Sequence, residues 1–382
     1  MPVHATKHTD GSRTITSFEL VNEDGTLSAR VMELGATLTH FVATTAAGAK
    51  TDIVLGFDDP FEYERVGRNQ NPYFGCVVGR SCNRTALGKF ALGGKQFELA
   101  TNNGPNALHG GLEGFDKRVW AGEVVSQSPP TVVMRLESPD GDQGYPGTVD
   151  VAATFSLAGG DLAITLEATL RAGTAPQTLV NLTVHPYFNL DGVSTVHDHL
   201  VEMPGVAAFL ELSPTQIPTG RVIESRQSHP ATETLAAGAL SFPAGAPKSI
   251  ASSLAGVNEF RGIDHFFVRS PGAAALQRGT EPPADWAAAP LATVSSPHSG
   301  LALTLFSDAP GFQVYTANWL DGSLAAKTST QPAGAVYGAY SAFCLEPSAP
   351  PDSINNSEWA HLVTLDAGKT WRQHLVFRVS RV

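Results

Sequence analysis

The run Thr183-Val184-His185-Pro186-Tyr187-Phe188-Asn189-Leu190 places an imidazole, two aromatic rings and an amide within eight positions. Pro186 cannot donate to a sheet ladder and biases the residue before it toward extended backbone. His185 is therefore expected at the end of a strand running from Thr178 to Val184, with its direction fixed. A titratable imidazole on rigid backbone beside aromatic faces suits proton transfer to a polyhydroxylated ligand. The competing reading is a core histidine satisfied by a neighbour. A second titratable group, Glu346, follows the apolar run Phe343-Cys344-Leu345. A carboxylate so placed is either paired or functional, because an unpaired buried charge is costly.

Further polar residues gather in discrete blocks. Gly79-Arg80-Ser81-Cys82-Asn83-Arg84 offers two guanidinium groups and an amide, either as a donor fork for hydroxyls or phosphate or as a structural arginine paired to a carboxylate. Asn102-Asn103-Gly104-Pro105-Asn106 leads to His109-Gly110-Gly111, where paired glycines permit close backbone approach. Asp264-His265 and Gln313-Val314-Tyr315 add a carboxylate and an amide, and Tyr187 and Trp319 are candidates for an apolar face against a ligand. Ser138-Pro139-Asp140-Gly141-Asp142 lacks regular calcium-ligand spacing and a terminal glutamate, so a reverse-turn loop is expected there. His197-Asp198-His199 reads as two imidazoles on one strand face without a third ligand nearby, and no metal site is expected.

Period-two alternation supplies the scaffold for these blocks. Residues 18–21 and 29–34 flank Asp24-Gly25, and residues 36–42 read as a strand continuing after a bulge at Gly35. A tight hairpin is expected about Gly93-Gly94, and a longer one pairs residues 149–157 with 162–170 about Gly159-Gly160. The segment from Trp371 to Val382 alternates as well. With 37 glycines and 26 prolines and few persuasive amphipathic helices, the pattern predicts an all-β fold, a large antiparallel β-sandwich or barrel. No internal boundary divides the 382 residues, so a single domain over 1–382 is expected, with a loop insertion near 272–290. A net charge of −11 argues against nucleic acid and anionic membrane surfaces, and no apolar run is long enough to span a bilayer. The polar N-terminus, the lack of a recognisable C-terminal address and three cysteines that cannot all pair with one another point to free thiols in the cytoplasm.

Taken in order, the blocks resemble the aldose 1-epimerase (galactose mutarotase) family. The match runs through Gly79–Arg84, Asn102–Asn106 with Leu108–Gly111, Gly114-Phe115-Asp116, Ser138–Gly141 with Gly144–Gly147, His185–Leu190, Ile217-Pro218-Thr219-Gly220, Asp264-His265, Gln313–Thr316, and Phe343–Glu346 with Pro351-Asp352. The resemblance implies one β-supersandwich with an open sugar cleft and no cofactor. His185 then looks like the general acid and Glu346 like the general base. Asn83, Arg84, His109, Asp264 and Gln313 look like residues that bind the sugar. The implied activity interconverts α and β anomers of free hexoses such as glucose and galactose, in a monomer or homodimer whose partner is a small aldose. Unperturbed imidazole and carboxylate would hold the required charges together between pH ~4.3 and ~6.5 without special tuning. Two departures bear on substrate preference: Pro347-Ser348 stand where the family commonly has Thr-Gln, and the 272–290 segment looks inserted. A hexose 6-phosphate epimerase, using Arg80 and Arg84, and a non-catalytic sugar-binding regulatory module are the alternative readings.

Overall fold

The alternating segments fold mainly into three antiparallel sheets, with five two-stranded pairings beside them, in a computed structural model that describes residues 3–66, 72–224, 238–257, 260–277 and 284–382. The first sheet is a meander of Val3–Thr9, Thr14–Val21, Leu27–Met32, Thr37–Thr44 and Lys50–Asp52. The largest has nine strands in the order Ala121–Gln127, Pro130–Ser138, Val149–Ala158, Asp161–Leu170, Thr370–Arg381, Leu301–Ser307, Ala292–Ser295, Leu200–Glu202 and Lys248–Ser249. The third has five strands, ordered Pro218–Glu224, Val206–Leu212, Asp264–Arg269, Gly311–Tyr315 and Cys344–Ser348. Apolar residues from all three sheets, among them Phe41, Phe155, Phe267 and Phe377, form one buried cluster. This is the all-β sandwich expected from the alternation. No described helix is long and apolar enough to cross a membrane.

The expected hairpins sit where turn chemistry puts them. Gly93 and Gly94 have φ of 58° and 76°, the pair of positive values that a two-residue primed turn demands. Residues 149–158 pair with 161–170 in unbroken register, Val149 facing Leu170. Two local expectations fail. Gly35 is not a bulge within a strand: the chain reverses between Met32 and Thr37, so the flanking strands pair with each other, and the register shift falls at Arg30/Val31. The strand from Thr178 to Val184 is broken into Gln177–Leu179 and Thr183–Val184. Between them the Asn181 backbone pairs instead with Ser81 in an isolated parallel bridge, and its side-chain amide exchanges hydrogen bonds with the Ala349 backbone in both directions. Of the expected insertion, residues 278–283 lie outside the described residues, and 272–276 form a short 3₁₀ turn with Ala275 and Leu276 buried.

Lys327 is buried with its Nζ 2.5 Å from Asp52 Oδ2 and 2.8 Å from the Thr39 carbonyl. Asp52 Oδ1 accepts from the Phe41 backbone N–H at 2.9 Å, so the pair ties the segment after residue 324 to the first sheet. Removing one partner of such a pair leaves an uncompensated buried charge. Lys327→Met is therefore expected to lower unfolding free energy by about 3–5 kcal/mol in urea titration, and a loss below about 1 kcal/mol would contradict this.

Candidate active site

His185 is positioned by backbone bonding on both sides. Its N–H donates to the Cys76 carbonyl and its carbonyl accepts from the Gly75 N–H, each at 2.9 Å, extending the pairing of Thr183–Val184 with Val77–Val78. Gly75 has φ +67°, and a Cβ there would lie 2.1 Å from the Leu38 carbonyl oxygen, so only glycine fits. The Tyr187 ring stacks on the imidazole at 5.0 Å, and its hydroxyl donates to the Pro72 carbonyl. Tyr187 thus braces His185 and has no free face for a ligand. Trp319 is exposed but lies under the Arg261 guanidinium, 4.7 Å from the ring centroid.

Glu346 reaches the same point from the five-stranded sheet. It sits on an edge strand, which is where the missing N–H of Pro347 can be tolerated. Register places Glu346 opposite Gln313, and Asp264 opposite Tyr315 on the next strand. His185 Nε2 lies 3.5 Å from Glu346 Oε1, and both side chains are buried. The Glu346 carboxylate accepts no hydrogen bond from a described residue, and Nδ1 of His185 makes none.

Around this pair the other polar residues singled out in the sequence form one network. Asp264 Oδ1 accepts from Gln313 Nε2 at 2.6 Å, leaving Gln313 Oε1 buried without a partner. Arg84 Nε donates to Asn103 Oδ1, and Arg84 Nη2 lies 3.9 Å from Asp264 Oδ2. Asn83, at φ +57°, accepts from the Arg84 N–H through its side-chain oxygen. Its backbone N–H donates to His109 Nδ1 at 3.2 Å, which fixes the proton of a neutral His109 on Nε2 as a donor. The His109 ring is 5.3 Å from that of His185. All seven residues singled out in the sequence, His185, Glu346, Asn83, Arg84, His109, Asp264 and Gln313, therefore converge.

One contributor escaped the sequence reading. Gln216 accepts from Arg84 Nη2 at 2.6 Å and donates to Asp264 Oδ2 at 2.5 Å, so its carboxamide bridges the two charges. It has φ +61° in a turn closed by Ser213, and Asn106 Nδ2 anchors that turn through the Thr215 carbonyl. The signal was a polar residue directly before Ile217-Pro218-Thr219-Gly220. Other polar blocks are structural. Arg80 donates to the carbonyls of Ser138, Pro139, Pro146 and Gly147 and to two hydroxyls, leaving nothing for a ligand; its partners are not carboxylates. Residues 138–147 form the expected reverse-turn loop, whose carbonyls hold it. His197 and Asp198 lie in a turn, not on a strand, and His199 accepts from the Leu190 N–H.

Burial corrects the expected charge states. It pushes His185 down from the ordinary 6.5 to about 4. Burial, reinforced by the Asp264 carboxylate and opposed by Arg84, pushes Glu346 well above the usual carboxylate range. In the sugar-free site the pair is therefore a neutral imidazole beside a protonated carboxyl, not a ready-made ion pair. Burial first, then the neighbouring His185, Arg84 and Lys117, keeps His109 neutral as well.

A buried imidazole and carboxylate, ringed by hydrogen-bonding groups of both kinds in an all-β sandwich, is an arrangement suited to proton transfer on a polyhydroxylated ligand. The sequence profile of aldose 1-epimerases matches residues 17–378. Galactose mutarotase from Sus scrofa is 37% identical over 349 residues, covering 90% of this chain and 88% of that protein. Aldose 1-epimerase from Escherichia coli is 31% identical over 86% of this chain and 85% of that one. The crystal structure of an aldose epimerase homologue from C. elegans superposes with a TM-score of 0.77 at 27% identity, over 99% of this chain and 100% of that one. The chain belongs to the aldose 1-epimerase family and is an isomerase of that class.

The depressed imidazole value is directly measurable. In a proton NMR titration of the sugar-free protein, His185 is expected to stay neutral at pH 6 and to titrate near about 4. A midpoint at or above its ordinary 6.5 would contradict the burial argument.

Proposed function

We propose that the chain interconverts the α and β anomers of free hexoses such as galactose and glucose, with Glu346 as base and His185 as acid. The observation that carries these roles is the 3.5 Å approach of His185 Nε2 to Glu346 Oε1 beside Asp264, Gln313 and Arg84. When sugar enters, its hydroxyls and Arg84 stabilise the ionised carboxylate, and the single proton of the pair passes from Glu346 to His185. Glu346 takes the proton of the anomeric hydroxyl while His185 gives its proton to the ring oxygen. The C1–O5 bond breaks and an aldehyde forms. The C1–C2 bond then rotates, and the ring oxygen attacks the other carbonyl face. As it closes, it returns its proton to His185, and the new anomeric oxygen takes one from Glu346. The pair gains and loses one proton in each direction, so no further acid or base is required.

Asn83, Arg84 and His109 act as donors to the hydroxyls, Asp264 accepts, and Gln313 accepts through Oε1. Gln216 orients Arg84 and Asp264 from between them. The shared apolar core supports the chain acting as one unit over residues 1–382. An uncharged hexose fits better than a hexose 6-phosphate: the Arg80 donors are consumed by carbonyls, and Arg84 faces the Asp264 carboxylate. Retention of both His185 and Glu346 favours an enzyme over a silent binding module.

Polarimetry with galactose, glucose and glucose 6-phosphate tests the reading, with activity expected on the free sugars; a preference for the phosphate would overturn it. Glu346→Gln is expected to lower kcat by about 10²–10⁴-fold with a smaller change in KM, and near-wild-type kcat in a folded variant would remove Glu346 as base. The one-proton form of the pair is the reactive one. Lowering His185 and raising Glu346 both widen its range, so kcat/KM should stay level from near pH 4 to well above the ordinary imidazole value of 6.5. A bell confined between the ordinary 4.5 and 6.5 would contradict this. Gln216→Met, which removes the bridge but keeps bulk, should raise KM by about tenfold, roughly one charge-assisted hydrogen bond, with kcat nearly unchanged. An unaltered KM would make Gln216 a purely structural link.

A further inference from the structure

Beside the acid/base pair lies a third potential ligand atom that epimerisation does not use. Cys344 is two residues before Glu346 on the same strand, so both side chains project from one face of the sheet. A ring nitrogen of His185, the Cys344 Sγ and a Glu346 carboxylate oxygen all lie within 4.8 Å of one another, and all three residues are buried. The thiol is free, and its Sγ makes no hydrogen bond to a described residue. The imidazole keeps Nδ1 without a hydrogen bond although its side chain is only 5% exposed. One nitrogen, one sulfur and one carboxylate oxygen from three side chains are the donor set of a borderline-soft divalent cation. The sulfur discriminates against magnesium and calcium. Tetrahedral zinc would need its ligand atoms about 3.3–3.6 Å apart, given bonds of about 2.0–2.3 Å. The nitrogen–oxygen separation is already 3.5 Å, so only a modest inward shift of the sulfur is needed. Three protein ligands leave a fourth coordination position for water or another small ligand.

We propose that His185, Cys344 and Glu346 form a binding site for a thiophilic divalent cation, with Zn²⁺ as the best fit, and that its occupancy inhibits the epimerase. Binding releases two protons to solvent, one from the Cys344 thiol and one from the Glu346 carboxyl, and forms zinc–thiolate and zinc–carboxylate bonds while the neutral His185 donates a ring nitrogen. The cation then holds a nitrogen of the acid and an oxygen of the base, so neither can exchange a proton with sugar. Inhibition is therefore competitive with the hexose. The site rests on the geometry alone, whereas the inhibition rests also on the catalytic roles given to His185 and Glu346.

The experiment uses the full chain, Co²⁺ as a spectroscopic probe and Zn²⁺ as the inhibitor. One Co²⁺ per chain should bind with a near-ultraviolet thiolate-to-cobalt band and tetrahedral visible bands, and Zn²⁺ should abolish both. Zn²⁺ should raise the apparent KM for galactose, whereas Mg²⁺ at the same concentration should not. Cys344→Ala and Cys344→Val should keep mutarotation, lose the thiolate band, and raise the Zn²⁺ inhibition constant at least tenfold; either variant suffices if the other does not fold. Absence of the band, or its persistence without Cys344, overturns the site. A Cys344-dependent band without loss of activity overturns the inhibition and counts against the catalytic assignment instead. A wild-type protein inactive on every hexose would sink the proposed function while leaving the cobalt result to judge the site.

Discussion

The site depends on one constraint: an imidazole and a carboxylate are buried side by side without hydrogen bonds that would hold either one charged. Each alone would be forced neutral by desolvation, since an uncompensated ion in a low-dielectric setting costs several kcal/mol. Together they can carry one proton in two arrangements that differ by its transfer over 3.5 Å. The neutral arrangement suits the sugar-free site. The ionic one becomes favourable once hydroxyls and the Arg84 guanidinium surround the carboxylate. Mutarotation needs an acid and a base that exchange roles on ring closure, and in the proposed mechanism this pair, with its one mobile proton, supplies both.

The scaffold exists to hold that pair at fixed separation. The two groups come from segments more than a hundred residues apart, and three kinds of restraint join them. Backbone bonds to Gly75 and Cys76 clamp His185 on both sides. Antiparallel register sets Glu346 beside Gln313, and Asp264 one strand further on. The Asn181 carboxamide, by bonding Ala349 in both directions, ties the strand leading to His185 to the end of the Glu346 strand. The Thr178–Val184 segment is broken where the Asn181 backbone pairs with Ser81, which leaves its side-chain amide to join the two halves of the site.

Much of this was legible in the residues. Alternation and Gly-Gly turns marked the hairpins because both depend on local geometry. His185 and Glu346 stood out because a titratable group at the end of an apolar run requires an explanation. What could not be read was set by distant contacts. Arg80 and Arg84 look alike four residues apart, yet one is saturated by carbonyls of a remote loop and the other faces a carboxylate. Gln216 is one glutamine in a turn until tertiary packing sets it between Arg84 and Asp264. Gly35 could serve a bulge or a reversal, and only the pairing of its flanking strands decides. The charge states were misjudged because composition says nothing of the burial of each group.

The central claim is that His185 and Glu346 work as one proton-sharing unit. A double-mutant cycle in polarimetry tests it most directly, comparing His185→Asn, Glu346→Gln and the combined variant on galactose after subtraction of the spontaneous rate. If the two act as a unit, the combined variant will be no slower than the slower single one, because losing either partner already removes the shared proton. Penalties that multiply, so that the double loss equals the product of the single losses, would show two independent groups and contradict the account.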